Sequence, residues 1–224
     1  AQSVILSTGM STLAEIETAL GVLAFGFNNV EGGTPSQINF RKAYQSTKGL
    51  DALRKRVTLL HCTTEYPAPF HEVNLKAMDT MADYFGLPVG YSDHTTGIHV
   101  SLAAAARGAK IIEKHFTLNK ALPGPDHAAS LEPSELKSLV QGVRDVGSAL
   151  GDGVKQPTPT EQRNIMVVRR SLVASRFIRK GEAFTSENVC CKRPGNGVSA
   201  SFWFDIIGRI ALKDFEEDEL IETD

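Results

Sequence analysis

Four segments of the chain repeat one pattern, in which a short apolar stretch is followed by a longer stretch of helical periodicity. The apolar stretches cover residues 4–9, 57–63, 89–94 and 110–117. Their apolar and small residues stand mostly next to one another and not in strict alternation with polar ones, which is typical of strands buried on both faces of a parallel sheet. The alternation therefore predicts an α/β fold over about the first 150 residues, with four parallel strands covered by helices.

The helical segments carry start signals of their own. The first helix is predicted to begin near Thr12, because Thr12 and Glu15 have the spacing of a capping box. Two further helices are predicted, one over residues 74–85 and one around residues 100–105. The last is predicted to begin at Pro133, since proline is favoured in the first turn of a helix.

Two other segments depart from the alternation. We interpret the polar segment of residues 25–56 as an inserted loop with one or two short helices, and we assign it no chemistry. Residues 151–166 contain Gly151-Asp152-Gly153 and Pro157-Thr158-Pro159 and are predicted to be a linker. Short β-type stretches between turn signals follow, so the expected domains are residues 1–150 and a small β-rich domain at residues 167–224.

The charge and the cysteine content exclude several classes of function. The chain has 24 Lys and Arg residues against 26 Asp and Glu residues, a formal net charge of −2. Such a chain creates no long-range field for polyanions, so neither nucleic acid nor an anionic membrane is an expected partner. No apolar run reaches the roughly 18 residues that span a bilayer. The three cysteines lack metal-binding spacing, which favours reduced thiols and a cytoplasmic location.

Two histidines stand where neighbouring predicted strands end. His94 and His115 each lie near the end of one of two consecutive predicted strands, and the carboxyl ends of parallel strands meet at the edge where α/β proteins bind ligands. Two imidazoles with open coordination positions suit a divalent metal such as Mn²⁺. The alternative is that both side chains only form hydrogen bonds with the backbone.

Hydroxyl side chains stand at the same edge of the predicted sheet. They suit the oxygens of a phosphate or a carboxylate, although serine and threonine are also common in turns. The residues are Ser7, Thr63, Thr64 and Ser92.

Three further side chains have two interpretations each. Asp126 either binds substrate hydroxyls or caps a turn. Tyr66 either packs over a sugar or belongs to an ordinary loop. Arg193 precedes a Pro-Gly turn and either recognises an anion or a carbonyl group or has no specific partner.

Six short motifs follow one another along the chain: residues 7–10 (STGM), 61–69 (HCTTEYPAP), 90–94 (GYSDH), 113–117 (EKHFT), 123–127 (PGPDH) and 192–197 (KRPGNG). Together they resemble the bacterial sialic acid synthase family, which includes N-acetylneuraminate and legionaminate synthases. The resemblance covers nearly the whole chain except the segment of residues 25–56. It implies the second half of a TIM (β/α)8 barrel, followed by an antifreeze-like (SAF) domain.

The resemblance also implies a reaction. Members of the family condense phosphoenolpyruvate with the open-chain aldehyde of N-acetylmannosamine or a related N-acylated amino sugar. The products are an N-acetylneuraminate-type nonulosonic acid and phosphate, and a divalent metal, Mn²⁺ or Mg²⁺, polarises the aldehyde. A legionaminate synthase, which uses a 2,4-diacetamido-6-deoxy-mannose acceptor, is the alternative within the family.

Carried over position by position, the resemblance assigns roles to the residues at the strand ends. His94 and His115 match the family's metal-binding histidines. Ser7, Ser92 and Thr64 match contacts to phosphoenolpyruvate, although some members carry asparagine at the position of Thr64.

Contacts to the amino sugar are implied for three residues. Tyr66 and Asp126 match such contacts within the barrel. Arg193 matches an arginine of the SAF domain that reaches the other active site in a domain-swapped homodimer.

The resemblance assigns no catalytic residue to this portion of the family's sequence. The catalytic glutamate and the phosphoenolpyruvate-binding lysines of the family are expected upstream, in the first half of the barrel. We therefore expect the chain to be a C-terminal portion of a longer enzyme and inactive alone. An alternative of another class is a non-catalytic binding or assembly module.

Overall fold

The computed structural model describes residues 2–28, 33–124 and 126–222. The chain divides into two units, residues 1–153 and residues 154–224. Each unit has a hydrophobic core of its own.

The first unit contains a curled parallel sheet of four strands in the order β1-β2-β3-β4. The strands are β1 Val4–Ser7, β2 Val57–Cys62, β3 Val89–Asp93 and β4 Ile112–Lys114. The predicted α/β fold and its four strands are thus confirmed. β4 is shorter than predicted, because the His115 carbonyl accepts a hydrogen bond from the Leu131 N–H at 2.9 Å and not from the sheet.

Helices surround this sheet. They are α1 Leu13–Asn28, α2 Gln37–Gln45, α3 Thr47–Arg56, α4 Lys76–Phe85, α5 His99–Ala106 and α6 Pro133–Ala149. The predicted capping box of α1 is present, since the Thr12 N–H donates to Glu15 Oε2 at 2.7 Å and the Glu15 N–H donates to Thr12 Oγ1 at 3.4 Å. Pro133 occupies the first turn of α6, as predicted.

The strands differ in how deeply they are buried. Every residue of β3 is buried, whereas half-buried and exposed residues alternate along β1, where Ile5 is 55% exposed. The prediction of burial on both faces is therefore wrong for β1. Successive side chains of a strand point to opposite faces of the sheet, so the alternation shows that one face of β1 is uncovered.

The polar segment before β2 holds the two short helices α2 and α3. The Ser46 hydroxyl accepts a hydrogen bond from the Gly49 N–H at 3.0 Å and so caps the start of α3. α2 packs on α1 through Phe40, whose ring meets that of Phe25 edge-to-face with centroids 5.3 Å apart. Residues 29–32 of this segment lie outside the described residues.

The second unit is built around an antiparallel pair of strands. Its elements are α7 Pro159–Val168, β5 Ser171–Ala174, β6 Val189–Lys192 and α8 Trp203–Ile206. The core includes Leu172, Ile178, Phe184 and Phe215. α7 was not predicted, because the prolines around it suggested a linker. Pro159 instead occupies its first turn, after a capping box formed by Thr158 and Glu161.

Candidate active site

The register of β3 and β4 brings the two strand-end histidines together. Ser92 pairs with Glu113 and Asp93 with Lys114, so His94 and His115 follow as neighbours. Their imidazole centroids are 5.5 Å apart, with the rings at 86°. The predicted juxtaposition of His94 and His115 is confirmed.

Two backbone hydrogen bonds orient His94. Its Nδ1–H donates to the Thr63 carbonyl at 2.7 Å, and its own carbonyl accepts from the Ala68 N–H at 2.9 Å. With the proton on Nδ1, a neutral imidazole carries its lone pair on Nε2, the nitrogen that a metal would bind. The sequence left two interpretations open, a metal ligand or a backbone contact, and the geometry allows both at once.

Glu113 is a site residue that the sequence reasoning missed. Its Oε1 accepts a hydrogen bond from the Ser92 hydroxyl at 2.7 Å, and the same hydroxyl lies 3.4 Å from His94 Nε2. Strand alternation supplied the signal, because Glu113 stands two residues before His115 and therefore shares its face of the strand.

Asp126 lies on the other side of His115. Its Oδ2 is 4.0 Å from His115 Nδ1, and its carbonyl accepts from the Ser130 hydroxyl at 2.7 Å. His127 Nδ1 lies 2.7 Å from the Thr117 hydroxyl and ties this turn to the end of β4. Pro125 of the predicted motif lies outside the described residues.

Tyr66 stacks over the histidine pair. Its ring centroid is 4.2 Å from that of His94 and 5.3 Å from that of His115. Partial burial raises the pKa of Tyr66, and nearby anionic groups add to the rise, so its hydroxyl stays a hydrogen-bond donor at neutral pH. We call the group formed by these residues the rim cluster: Tyr66, Ser92, His94, Glu113, His115 and Asp126.

Ser7 and Thr64 stand at the ends of β1 and β2. The Ser7 hydroxyl lies 3.1 Å from Cys62 Sγ, its hydrogen-bond partner. Gly9 allows a close approach here, since a Cβ at that position would lie 2.8 Å from Cys62 Sγ and would also collide with the Thr64 hydroxyl.

Arg193 belongs to the second unit and is described within it. Its Nε–H donates to the Val168 carbonyl at the end of α7, at 3.0 Å. The Ser171 hydroxyl holds the following turn by donating to the Pro194 carbonyl at 2.7 Å and accepting from the Gly197 N–H at 2.9 Å. Arg193 therefore stands at a fixed turn, and its place in the active site stays a prediction.

The donor groups of the rim cluster fit a divalent metal in part. Within residues 2–28, 33–124 and 126–222, no three His, Cys, Asp or Glu side chains converge closely enough to hold an ion. Catalytic metal sites keep open positions for water and substrate, and the oriented His94 with its neighbour His115 meets that requirement.

None of the described helices is long and apolar enough to cross a bilayer.

The sheet and the rim cluster define an α/β protein whose polar side chains gather at the carboxyl ends of its strands. The chain belongs to the NeuB family, whose profile matches residues 1–155, and residues 169–224 match a SAF domain. The resemblance to sialic acid synthases is thereby confirmed.

Two curated relatives and one solved structure illustrate the similarity. The chain is 53% identical over 220 residues to the N,N'-diacetyllegionaminic acid synthase of Campylobacter jejuni, covering 98% of this chain and 59% of that protein. It is 43% identical to the protein of the same name from Legionella pneumophila, covering 91% and 51%. The crystal structure of N-acetylneuraminic acid (sialic acid) synthetase from Leptospira borgpetersenii in complex with citrate matches with a TM-score of 0.52 at 35% identity, covering 72% and 56%. The chain thus spans less than two thirds of each.

Proposed function

We propose that this chain is the C-terminal portion of a nonulosonic acid synthase, a transferase that joins phosphoenolpyruvate to an N-acylated amino sugar. Carbon 3 of phosphoenolpyruvate forms a bond with the aldehyde carbon of the sugar. Water adds at carbon 2, the bond between carbon 2 and the phosphate oxygen breaks, and phosphate leaves. The observation that carries the proposal is the rim cluster, in which two histidines, two carboxylates and a tyrosine converge at a strand-end edge.

His94 and His115 are the side chains proposed to hold a divalent metal, Mn²⁺ or Mg²⁺. Such an ion, when bound, supplies Lewis-acid polarisation of an aldehyde oxygen. The hydrogen bond from His94 Nδ1–H to the Thr63 carbonyl keeps Nε2 free to accept.

The remaining roles concern binding and orientation. Ser7, Thr64 and Ser92 are proposed to hold the carboxylate and phosphate oxygens of phosphoenolpyruvate by donating hydroxyl hydrogens. Ser92 would do so by turning its single hydroxyl hydrogen away from Glu113 Oε1, its present acceptor. Tyr66 offers an aromatic face and a phenol to the sugar, and Asp126 accepts from its hydroxyls. The roles of Tyr66 and Asp126 are supported by the positions of both residues beside His115.

Assembly forms part of the same proposal. The proposed domains are a barrel portion at residues 1–150 and a SAF domain at residues 167–224, and the segment of residues 151–166 between them is not a plain linker, because it contains most of α7. The four strands are proposed to be half of a TIM barrel that closes with four further βα units. In a domain-swapped homodimer, Arg193 would reach the site of the second copy, and its guanidinium would bind a carboxylate or a carbonyl oxygen.

The acceptor that we favour is the 2,4-diacetamido-6-deoxy-mannose of a legionaminate synthase. This departs from our first expectation, N-acetylmannosamine, and its support is the name of the relatives at 53% and 43% identity. Parallel assays with the two sugars decide between them. A higher kcat/KM for N-acetylmannosamine would overturn the choice of acceptor while leaving the reaction class in place.

A phosphate-release assay on the complete enzyme containing this chain tests the proposed function. Phosphate should appear only when phosphoenolpyruvate, the amino sugar and a divalent metal are all present. His94→Ala and His115→Ala should each abolish turnover, whereas His71→Ala should not, because the His71 side chain is 83% exposed. Turnover after complete chelation of metal, or full activity in both site variants, would refute the assignment. The same assay on the 224-residue chain decides between an inactive portion and a self-sufficient catalyst.

A further inference from the structure

A salt bridge between Asp93 and Lys114 is buried in the sheet at the level of the rim cluster. Lys114 Nζ lies 3.1 Å from Asp93 Oδ2, and the two side chains are 3% and 0% exposed. Lys114 Nζ also donates to the Thr95 carbonyl at 2.5 Å. The Asp93 carboxylate accepts from the N–H and the hydroxyl of Thr95, both at 2.8 Å, and from the Ser101 hydroxyl at 2.5 Å. We call these four residues the buried network.

The buried network and the histidine pair occupy opposite faces of the same two strands. Asp93 and Lys114 are register partners, and each directly precedes one of the histidines. Successive side chains of a strand point to opposite faces, so His94 and His115 share the other face. A slip of one residue in one strand would move its histidine to the wrong face and would also separate the two charges.

The energetics of buried charges favour a positioning role. Removing a carboxylate and an ammonium group from water costs several kcal/mol each, and hydrophobic replacements of buried ion pairs are often neutral or stabilising. General stability is therefore a weak reason to keep two charges here. The best-attested use of such pairs is the selection of one register or one packing. The network also fixes the chain after His94, because Thr95 contributes its N–H, its hydroxyl and its carbonyl.

We infer that Asp93 and Lys114 are positioning residues that lock β3 to β4 and so set the separation of the two imidazoles. Ser101, in α5, anchors the Asp93 carboxylate to the helix that covers the sheet. The effect on metal binding rests on the proposed function, whereas the effect on strand pairing does not. None of these residues would touch the metal or a substrate.

The experiment compares two double variants by amide hydrogen exchange and by Mn²⁺ titration followed by electron paramagnetic resonance. Asp93→Asn/Lys114→Met removes both charges and keeps an acceptor for the Thr95 N–H. Lys213→Met/Glu219→Gln is the matched control, because it removes an ion pair of 2.9 Å that is partly exposed and belongs to the second unit. Thermal unfolding of each variant measures the loss of stability separately.

The network variant should exchange the amides of β3 and β4 at least about tenfold faster, while the amides of β2 exchange as before. Its Kd for Mn²⁺ should rise by about 10–100-fold, the range found when groups that orient metal ligands are removed. The control variant should match the wild type in both measurements. The inference would be overturned if the amides of β3 and β4 in the network variant exchange at the wild-type rate. It would also be overturned if exchange accelerates equally over the whole sheet, because that pattern indicates only a loss of stability.

Ser101→Ala keeps the inference testable if the double variant fails to fold. It removes one hydrogen bond to Asp93 and leaves both charges in place, so exchange should accelerate in β3 and β4 by a smaller factor, about threefold to tenfold. No acceleration there would overturn the inference. Absence of Mn²⁺ binding to the wild-type chain would refute the proposed metal site. It would not refute the positioning role of Asp93 and Lys114, which the hydrogen exchange of the variants tests.

Discussion

The exchange of Gly90 for alanine is the perturbation whose outcome the structure predicts most directly. Gly90 lies in β3, two residues before Ser92. A Cβ at this position would lie 2.5 Å from the Ile111 carbonyl oxygen and 2.6 Å from Leu60 Cδ2. The Leu60 side chain has some freedom to turn away. The Ile111 oxygen does not, because it accepts the Tyr91 N–H at 2.8 Å in the hydrogen bonding between β3 and the segment before β4.

Overpacking of a close-packed interior costs about 1–3 kcal/mol, and a displaced backbone hydrogen bond adds about 0.5–1.5 kcal/mol. The lower chain entropy of alanine in the unfolded state returns about 0.4–1 kcal/mol. We therefore expect Gly90→Ala to lower the free energy of unfolding by about 0.5–4 kcal/mol in total. The added methyl group should also move β3 away from β4 and so weaken Mn²⁺ binding at the histidine pair.

Urea unfolding followed by far-ultraviolet circular dichroism measures the loss, with Gly147→Ala as the control. Gly147 lies in α6, and a Cβ there would meet nothing within 4 Å. The control should gain about 0.5–1 kcal/mol, since alanine replaces glycine inside a helix. An unchanged unfolding free energy for Gly90→Ala, or changes of the same sign in both variants, would refute the reasoning from steric contact.

Further predictions concern the second unit, where Trp203, the single tryptophan of the chain, reports on unfolding by fluorescence. Leu172→Ala should cost about 2–5 kcal/mol, because this side chain is fully buried in the core. Thr158→Ala should cost about 1 kcal/mol through loss of the α7 cap, so a cost as large as that of Leu172→Ala would contradict it. The hydrogen bond from Arg176 lowers the pKa of Glu182 to about 2. Its folded pKa lies below its unfolded value of about 4.5, so its stabilising contribution is present above pH 4.5 and lost as pH falls toward 2. In Glu182→Gln, the free energy of unfolding should depend less on pH over that range. A titration midpoint near 4.5 for the Glu182 carboxyl group in the folded protein would contradict the assignment.

The sequence allowed the elements with a regular pattern to be predicted, and it failed where a tertiary contact decides. The β-type stretches predicted for the second domain illustrate the first case, since turn signals flank the short run that forms β6, Val189–Lys192. α7 was missed although Thr158 and Glu161 form a capping box, since the prolines nearby were given more weight. Proline stops a helix that precedes it but also starts one that follows.

In the candidate site as well, features that follow from a regular pattern could be predicted and features that depend on a tertiary contact could not. The meeting of His94 and His115 followed from the parallel pairing of consecutive strands, which the apolar segments indicate. The partner of His94 Nδ1 was beyond prediction, because Thr63 belongs to a loop whose path depends on the rest of the fold. The role of Gly90 was also hidden, since glycine in a strand shows its reason only when a neighbouring backbone is seen to approach.

The scattering of the rim cluster along the chain has a consequence for how the protein acquires its shape. Residues from the ends of two strands and from two loops build it, so no single βα unit contains it. Parallel pairings between distant segments form slowly, because chain closure costs entropy before any contact repays it. A ligand that needs both histidines would therefore not bind to a folding intermediate in which β3 and β4 are not yet paired. The time at which the ligand binds during refolding would therefore report when the pairing of β3 with β4 is complete.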